Sequence, residues 1–209
     1  MTARPSLTER RKAATQLEIA RTAATLFAER GAEDTTAEDI ARASGIALRT
    51  FYRYFRSKEE AVAPLLSGSV RTWIADLRTG GVGRSIPEML EFSARRALTP
   101  AGPEQEEALR WTRGLIRAMK GDPALRSVWD RVSREGEDEL LPVLAELSGE
   151  DADPLELRLA SAAVNAAMRI AVETWALAED PQDGPAELAA RCVRELTAGL
   201  RLWTTATTP

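Results

Sequence analysis

Arginine, tyrosine and threonine side chains share one face of a short predicted helix, and they are the residues best suited to chemistry in this sequence. If that helix covers about residues 47–55, Phe51 and Phe55 point inward, because residues four apart share a helix face. The outward face then holds Leu48, Arg49, Thr50, Tyr52 and Arg53. Arginine can bridge the acceptors of guanine, and hydroxyl groups can reach phosphates. This face therefore suits the major groove of DNA, the alternative being a solvated face with incidental arginines.

A helix-turn-helix would position that face. Residues 36–39 read Thr-Ala-Glu-Asp, a near match to a capping box, and predict the start of a helix over about residues 36–44. Gly45 ends this helix, because glycine adopts the left-handed turn conformation without a Cβ clash. Ala41 is small enough to let the next helix cross closely. A longer helix over about residues 8–30 precedes the pair, which has the helix-turn-helix pattern.

Three strings of residues make this region more specific than a bare helix-turn-helix. They read Ala20-x-x-Ala23-x-x-Leu26-Phe27-x-x-x-Gly31, Thr36-x-x-Asp39-Ile40-Ala41-x-x-Ser44-Gly45-Ile46 and Thr50-Phe51-Tyr52-x-Tyr54-Phe55-x-Ser57-Lys58-Glu59-Glu60. Together they resemble the DNA-binding domain of TetR-family regulators, without a gap from about residue 15 to residue 62. The resemblance implies an all-α fold in which residues 1–57 form a DNA-binding head and residues 58–209 form a ligand-sensing and dimerisation body.

The same resemblance implies a role for individual residues of the head. Thr36 would contact a phosphate while it caps its helix. Bases would be contacted by Leu48, Arg49 and Arg53, and backbone phosphates by Thr50, Tyr52, Tyr54 and Lys58. Two positions depart from the family pattern, since many relatives have serine where Ala47 stands and histidine where Tyr54 stands. Both departures bear on the affinity for DNA and leave the resemblance intact.

Charge and composition narrow the function classes. Residues 1–58 contain 11 Lys and Arg and 7 Asp and Glu, a net charge of +4, whereas residues 59–209 contain 17 and 25, a net charge of −8. A basic head on an acidic body can direct a polyanion to one end. The chain has no histidine and a single cysteine, Cys192, so the common general base and the usual thiolate metal sites are missing. We therefore expect no enzyme activity, cofactor or metal.

Apolar residues recur at intervals of three and four through the body, and glycine and proline clusters divide the chain into about nine helices. A fourth helix is predicted from Ser57 to about Thr79, with Pro64 inside it. Bulky side chains usually fill a core, but the bodies of TetR-family proteins commonly enclose an apolar effector cavity. The candidate wall comprises Trp73, Phe92, Trp111, Leu115 and Trp129, with polar contacts from Asn165 and Arg169. Alternatively, Arg169 pairs with Glu173 one turn further on.

The last two predicted helices, about residues 154–178 and 185–204, carry many small residues. The resemblance implies that they pair with their copies in a homodimer, although sequence alone also allows these faces to pack within one chain. The expected partners are an inverted-repeat DNA operator and a small apolar or aromatic effector that releases the protein from it. The apolar runs are too short to cross a bilayer, so we expect no membrane partner and a cytoplasmic location. A helical protein–protein adaptor and an all-α enzyme that uses carboxylates are the alternatives.

Overall fold

The computed structural model describes residues 6–79, 84–149 and 151–200. Nine α-helices occur in these residues: α1 Leu7–Arg30, α2 Ala37–Ala43, α3 Leu48–Tyr54, α4 Ala63–Thr79, α5 Ile86–Ala97, α6 Pro103–Ala118, α7 Pro123–Ser148, α8 Pro154–Leu177 and α9 Pro185–Thr197. A four-residue 3₁₀ helix, Glu59–Val62, precedes α4. The described ranges contain no strand, so the predicted all-α fold is confirmed.

Local signals set the helix ends of the head. Thr36 and Asp39 form a reciprocal capping box at the start of α2, as the sequence predicts, and Ser6 forms one with Glu9 at the start of α1. Gly45 has φ +68°, a left-handed conformation that a Cβ would disfavour, and it turns the chain between α2 and α3. Ala47 precedes α3 with extended backbone and no side-chain cap, which matches the expected missing cap.

The core of the head is built from side chains of all three helices. Phe27 of α1, Ile40 of α2 and Phe51 of α3 are fully buried. The rings of Phe51 and Phe55 lie 5.5 Å apart between centroids. This packing fixes which face of α3 is left for solvent.

The body packs its helices mainly in pairs, α4 with α7, α7 with α8, α8 with α9, and α5 with α9. Prolines occupy the first turn of α6, α7, α8 and α9, where the missing N–H costs no helical hydrogen bond. The head joins the body through α1, which packs against α6 and α4. At that junction a Cβ on Gly114 would lie 2.4 Å from the Cβ of Ala28, so α1 and α6 approach closely.

Two predicted helix limits differ from the structure. The sequence predicted one continuous fourth helix with Pro64 inside, but α-helical structure begins only at Ala63, after the 3₁₀ helix. Pro64 thus lies in the first turn, where its missing N–H and its ring are tolerated. The final helix was expected to reach residue 204 but ends at Thr197, and residues 201–209 lie outside the described part of the chain. In the described residues no helix is both long and apolar enough to span a membrane.

Candidate nucleic-acid interface and cavity

The predicted recognition face of α3 is open to solvent. Leu48 and Tyr52 are 38% and 54% exposed, and Arg49 and Arg53 are exposed as well. Thr50 and Tyr54 are half-buried at its edges, and the Arg53 guanidinium lies 5.3 Å from the centre of the Tyr54 ring. The helix therefore presents two unpaired cations and a phenol on one side, while Phe51 holds its other side to the head.

Thr36 stands at the start of α2 and Lys58 directly before the 3₁₀ helix, and both already bond to protein groups. The Thr36 hydroxyl donates to Asp39 Oδ2 at 2.6 Å and accepts from the Asp39 backbone N–H at 3.1 Å. The hydroxyl bond, followed by the bond that the Thr36 backbone N–H donates to Asp39 Oδ2, lowers the pKa of the Asp39 carboxyl. Lys58 Nζ donates to the carbonyl of Ala32 and lies 3.8 Å from Glu59 Oε1. Contact between Lys58 and a phosphate would therefore compete with these two partners.

A cavity of about 420 Å³ lies in the body, between α4, α6, α7, α8 and the middle of α1. Four of the seven residues predicted for an effector site line it: Trp73, Trp129, Asn165 and Arg169. Most of the rest of the lining is apolar, including Leu17, Leu65, Leu66, Val70, Leu109, Val132, Met168 and Val172. The cavity thus combines a long apolar wall with a few polar groups, the pattern of small-molecule sites.

The other three predicted wall residues lie elsewhere. Phe92 is 37% exposed on α5, with the Arg84 guanidinium 4.1 Å from its ring centre. Leu115 is fully buried in the core, and Trp111 is half-buried against it. The cavity face of α6 is formed by Gln105, Ala108, Leu109 and Thr112. This spacing of three and four follows one side of a helix, and Trp111 projects from another side.

Most of the cavity lining was not predicted from the sequence, although one part of it has a recognisable sequence pattern. Asn165, Met168, Arg169 and Val172 repeat at helical spacing along α8 and share its cavity face. The two apolar residues of this stripe, Met168 and Val172, were not predicted to line the cavity. The contribution of α1 through Leu17 and Arg21 had no such signal, because it depends on how the head docks on the body.

Glu173 organises the polar end of the cavity. The Trp129 indole N–H donates to Glu173 Oε1 at 2.7 Å, and Arg169 Nη1 donates to Glu173 Oε2 at 3.2 Å. The alternative in which Arg169 pairs with Glu173 is therefore observed, although Arg169 also lines the cavity. The indole N–H of Trp73 is buried and has no hydrogen-bond partner among the described residues. The paired charges leave this end of the cavity polar but close to neutral.

Comparison with known families decides the identity of this architecture. The model of bacterial regulatory proteins of the tetR family matches residues 19–63, and that of the MftR C-terminal domain matches residues 90–201, more than half of the chain. The chain belongs to the TetR family. Its head is the family's DNA-binding domain, and its body matches a TetR C-terminal domain, so the predicted family and the predicted class of DNA-binding transcriptional regulator are confirmed.

Individual relatives agree with this assignment. This TetR-family chain is 29% identical over 182 residues to the HTH-type transcriptional regulator TcmR of Streptomyces glaucescens, covering 84% of this chain and 79% of TcmR. It is 47% identical over 57 residues to the transcriptional repressor KstR2 of Rhodococcus jostii, a match that covers 27% of this chain and 28% of KstR2. The crystal structure of Thermus thermophilus FadR with lauroyl-CoA has a TM-score of 0.57 and 24% identity, covering 93% of this chain and 98% of FadR. That likeness shows a common fold.

Proposed function

We propose that this TetR-family protein is a homodimeric repressor that an apolar or aromatic effector releases from an inverted-repeat operator. The proposal rests on one observation: the helix that contributes Trp73 to the cavity begins next to the DNA-binding head. Trp73, in the cavity wall, lies on α4, and the short 3₁₀ helix before α4 begins directly after Lys58. A ligand against Trp73 can therefore act on the segment that joins head and body.

The proposed DNA contacts follow from the exposed face of α3. Arg49 and Arg53 are exposed on this face together with Leu48, and guanidinium groups are suited to bridge guanine acceptors. Tyr52 and Tyr54 carry phenol groups suited to phosphate oxygens, as does the hydroxyl of Thr50. Thr36 and Lys58 complete the phosphate contacts in this proposal. We place the boundary between head and body at residues 57 and 58.

Exposed apolar side chains support the proposed homodimer. Leu155, Leu159 and Ile170 of α8 and Leu196 of α9 are each at least 40% exposed. Along α8 these residues recur at intervals of four and eleven, which keeps them on one side of the helix. Clustered exposed apolar surface marks interfaces, and a two-fold dimer would cover the same patch on both chains. Pairing of α8 and α9 with their copies would bury all four side chains.

The cavity supports an effector that is mostly apolar and has few polar groups. More than half of its wall is apolar, and two of its charged side chains are already in ion pairs, Arg169 with Glu173 and Asp76 with Arg96. The unpartnered indole N–H of Trp73 could donate to a carbonyl or hydroxyl oxygen of the ligand. FadR, similar in fold, was solved with lauroyl-CoA, which makes an acyl chain one suitable probe.

Gel shifts with the DNA upstream of the protein's own gene test the first half of the proposal. A dimer should bind an inverted repeat whose half-sites are about 34 Å apart, one turn of DNA. Arg49→Ala should cost about 1–3 kcal/mol and relax base preference at one position per half-site. Tyr52→Ala and Lys58→Ala should weaken binding to all sequences and reduce the salt dependence. Monomeric binding to an asymmetric site would refute the dimer.

Ligand titrations test the second half. Lauroyl-CoA and the apolar dye ANS should alter tryptophan fluorescence, and the ligand that binds should weaken the gel shift, because it must prefer a dimer geometry that DNA does not. Trp73→Ala should blunt this response more than it changes DNA affinity alone. Trp111→Ala is the matched control, since Trp111 lies outside the cavity lining. An equal loss in both variants, or release that requires a metal ion or cysteine oxidation, would contradict the effector site.

A further inference from the structure

In addition to the cavity, a groove lies at the junction of head and body, on a different side of α6. Phe27, Ala28 and Gly31 at the end of α1 form one wall, and Arg110, Arg113 and Arg117 of α6 form the other. The groove has a volume of about 410 Å³ and opens to solvent. The three arginines stand at intervals of three and four, so one face of α6 presents all of them.

These three cations have no carboxylate partner within 4 Å among the described residues. Arg110 makes neither an ion pair nor a hydrogen bond there. Arg113 and Arg117 bond only to neutral backbone carbonyls. Glu106 and Glu107, one turn before Arg110, are exposed and do not pair with it. Three neighbouring arginines without an ion pair are unexpected in a body whose net charge is negative.

The last residues of α8 hold two of the guanidinium groups in place. Arg113 Nη2 donates to the carbonyl of Ala178 at 3.0 Å, and Arg117 donates to the carbonyls of Ala176 and Ala178 at 2.8 and 3.1 Å. The Arg113 guanidinium also lies 5.4 Å from the ring centre of Trp175. These carbonyls stand at the C-terminal end of α8, where the helix dipole is negative, so they offset part of the positive charge. They also orient the guanidinium groups, so the groove is organised for an anion before one arrives.

We propose that this groove binds a phosphate-bearing small anion through Arg110, Arg113 and Arg117. A phosphate group offers several acceptor oxygens and close to two negative charges at neutral pH, which suits more than one guanidinium fork. Ala28 and Ala118 give the groove an apolar side that could cover an organic part of the same molecule. The bound anion would touch both α1 and α6, and hence both head and body.

Calorimetric titration of the full chain without DNA tests the proposal, with sodium pyrophosphate and adenosine monophosphate as probes at constant ionic strength. These two probes distinguish free from esterified phosphate. At least one should bind saturably, and Arg110→Gln should weaken it about tenfold or more, the usual worth of a hydrogen bond to a charged group. Arg110 is the best residue to change, because it makes no hydrogen bond or ion pair within the described part of the chain. The matched control is Arg134→Gln, an exposed and unpartnered arginine on α7.

Two outcomes would overturn the proposal. In the first, neither probe binds; if Arg110→Gln then also lowers operator affinity in a gel shift, the groove serves the DNA backbone instead. In the second, Arg134→Gln weakens binding as much as Arg110→Gln does, which would indicate general attraction to basic surface. Because the titration contains no DNA and no cavity ligand, its failure is distinguishable from failure of the proposed repressor function.

Discussion

The head and the body of this protein fill their interiors in different ways. In the head, Phe27, Ile40 and Phe51 are fully buried within a span of 25 residues. In the body, residues as distant as Leu65 and Val172 line one cavity of about 420 Å³, to which the head adds Leu17. The core of the head is thus built from residues close together in the sequence, and it holds α3 in position. The core of the body joins residues far apart in the sequence and encloses a cavity. A solid core suits an element that must hold a fixed shape, and a cavity suits one that accepts a ligand.

The sharpest contrast should come from truncating one large side chain in each region. Phe51→Ala should lower the free energy of unfolding by about 3–5 kcal/mol, because nothing can fill the space that the ring leaves. Leu66→Ala, in the cavity wall, should cost only about 2 kcal/mol, the low end for such a change, since the side chain already borders open space. Urea denaturation followed by circular dichroism measures both. Equal losses would remove the difference in packing between the two regions.

A smaller effect is expected at the contact between the two regions. Gly114→Ala should cost about 1–3 kcal/mol and change DNA affinity, because the new Cβ would lie 2.4 Å from Ala28 Cβ and 3.1 Å from its Cα. Gly68→Ala in α4 is the control, with nothing within 4 Å of its Cβ, and should be neutral or gain up to about 1 kcal/mol. Thermal melts and gel shifts on both variants provide the comparison. If Gly114→Ala behaves like Gly68→Ala, head and body are not tightly docked.

One substitution should strengthen the head without touching its core. Ala47 precedes α3 with extended backbone and no capping side chain, so Ala47→Ser should add about 0.5–1 kcal/mol of stability. Chemical denaturation measures the gain. Ala43→Ser, at the end of α2, offers no free N–H groups to cap and should bring none. A gain from both would point to a cause other than capping.

The smallest effect concerns pH and belongs to the body. Hydrogen bonding to Arg194, followed by the charges of Arg194 and Arg95, lowers the pKa of Glu91, which joins α5 to α9. A depressed folded-state pKa gives stability that is present above the unfolded pKa and lost as pH falls through the folded pKa. Glu91→Gln should therefore cost about 1 kcal/mol or less at pH 7. This difference should shrink below about pH 4.5 in melts recorded across pH. A difference that persists in acid would exclude the carboxylate as its source.

How much the sequence could predict follows the same division between head and body. The exposed face of α3 was predictable because it depends only on helix periodicity and on which side Phe51 takes. The bond from Lys58 to the carbonyl of Ala32 was not, since it joins residues 26 apart through the packing of the head. In the cavity, Trp73 and Trp129 were predicted by bulk, and so were Trp111 and Leu115, which lie outside it. A large apolar side chain indicates that the residue is buried. Whether it fills the core or lines the cavity depends on how its helix is rotated about its axis.

The position of Pro64 fixes the working length of α4. If the α-helix extended back through the 3₁₀ turn, the proline ring would clash with the carbonyl of Glu60, four residues earlier. The helix therefore cannot lengthen toward the head without a kink, and Trp73 stays about 15 Å from its first residue at 1.5 Å per residue. Arg131 Nη2 holds Glu60 at 2.7 Å just before that start and ties it to α7. We therefore expect a displacement of the cavity end of α4 to turn the whole helix about its start, without adding or removing helical residues.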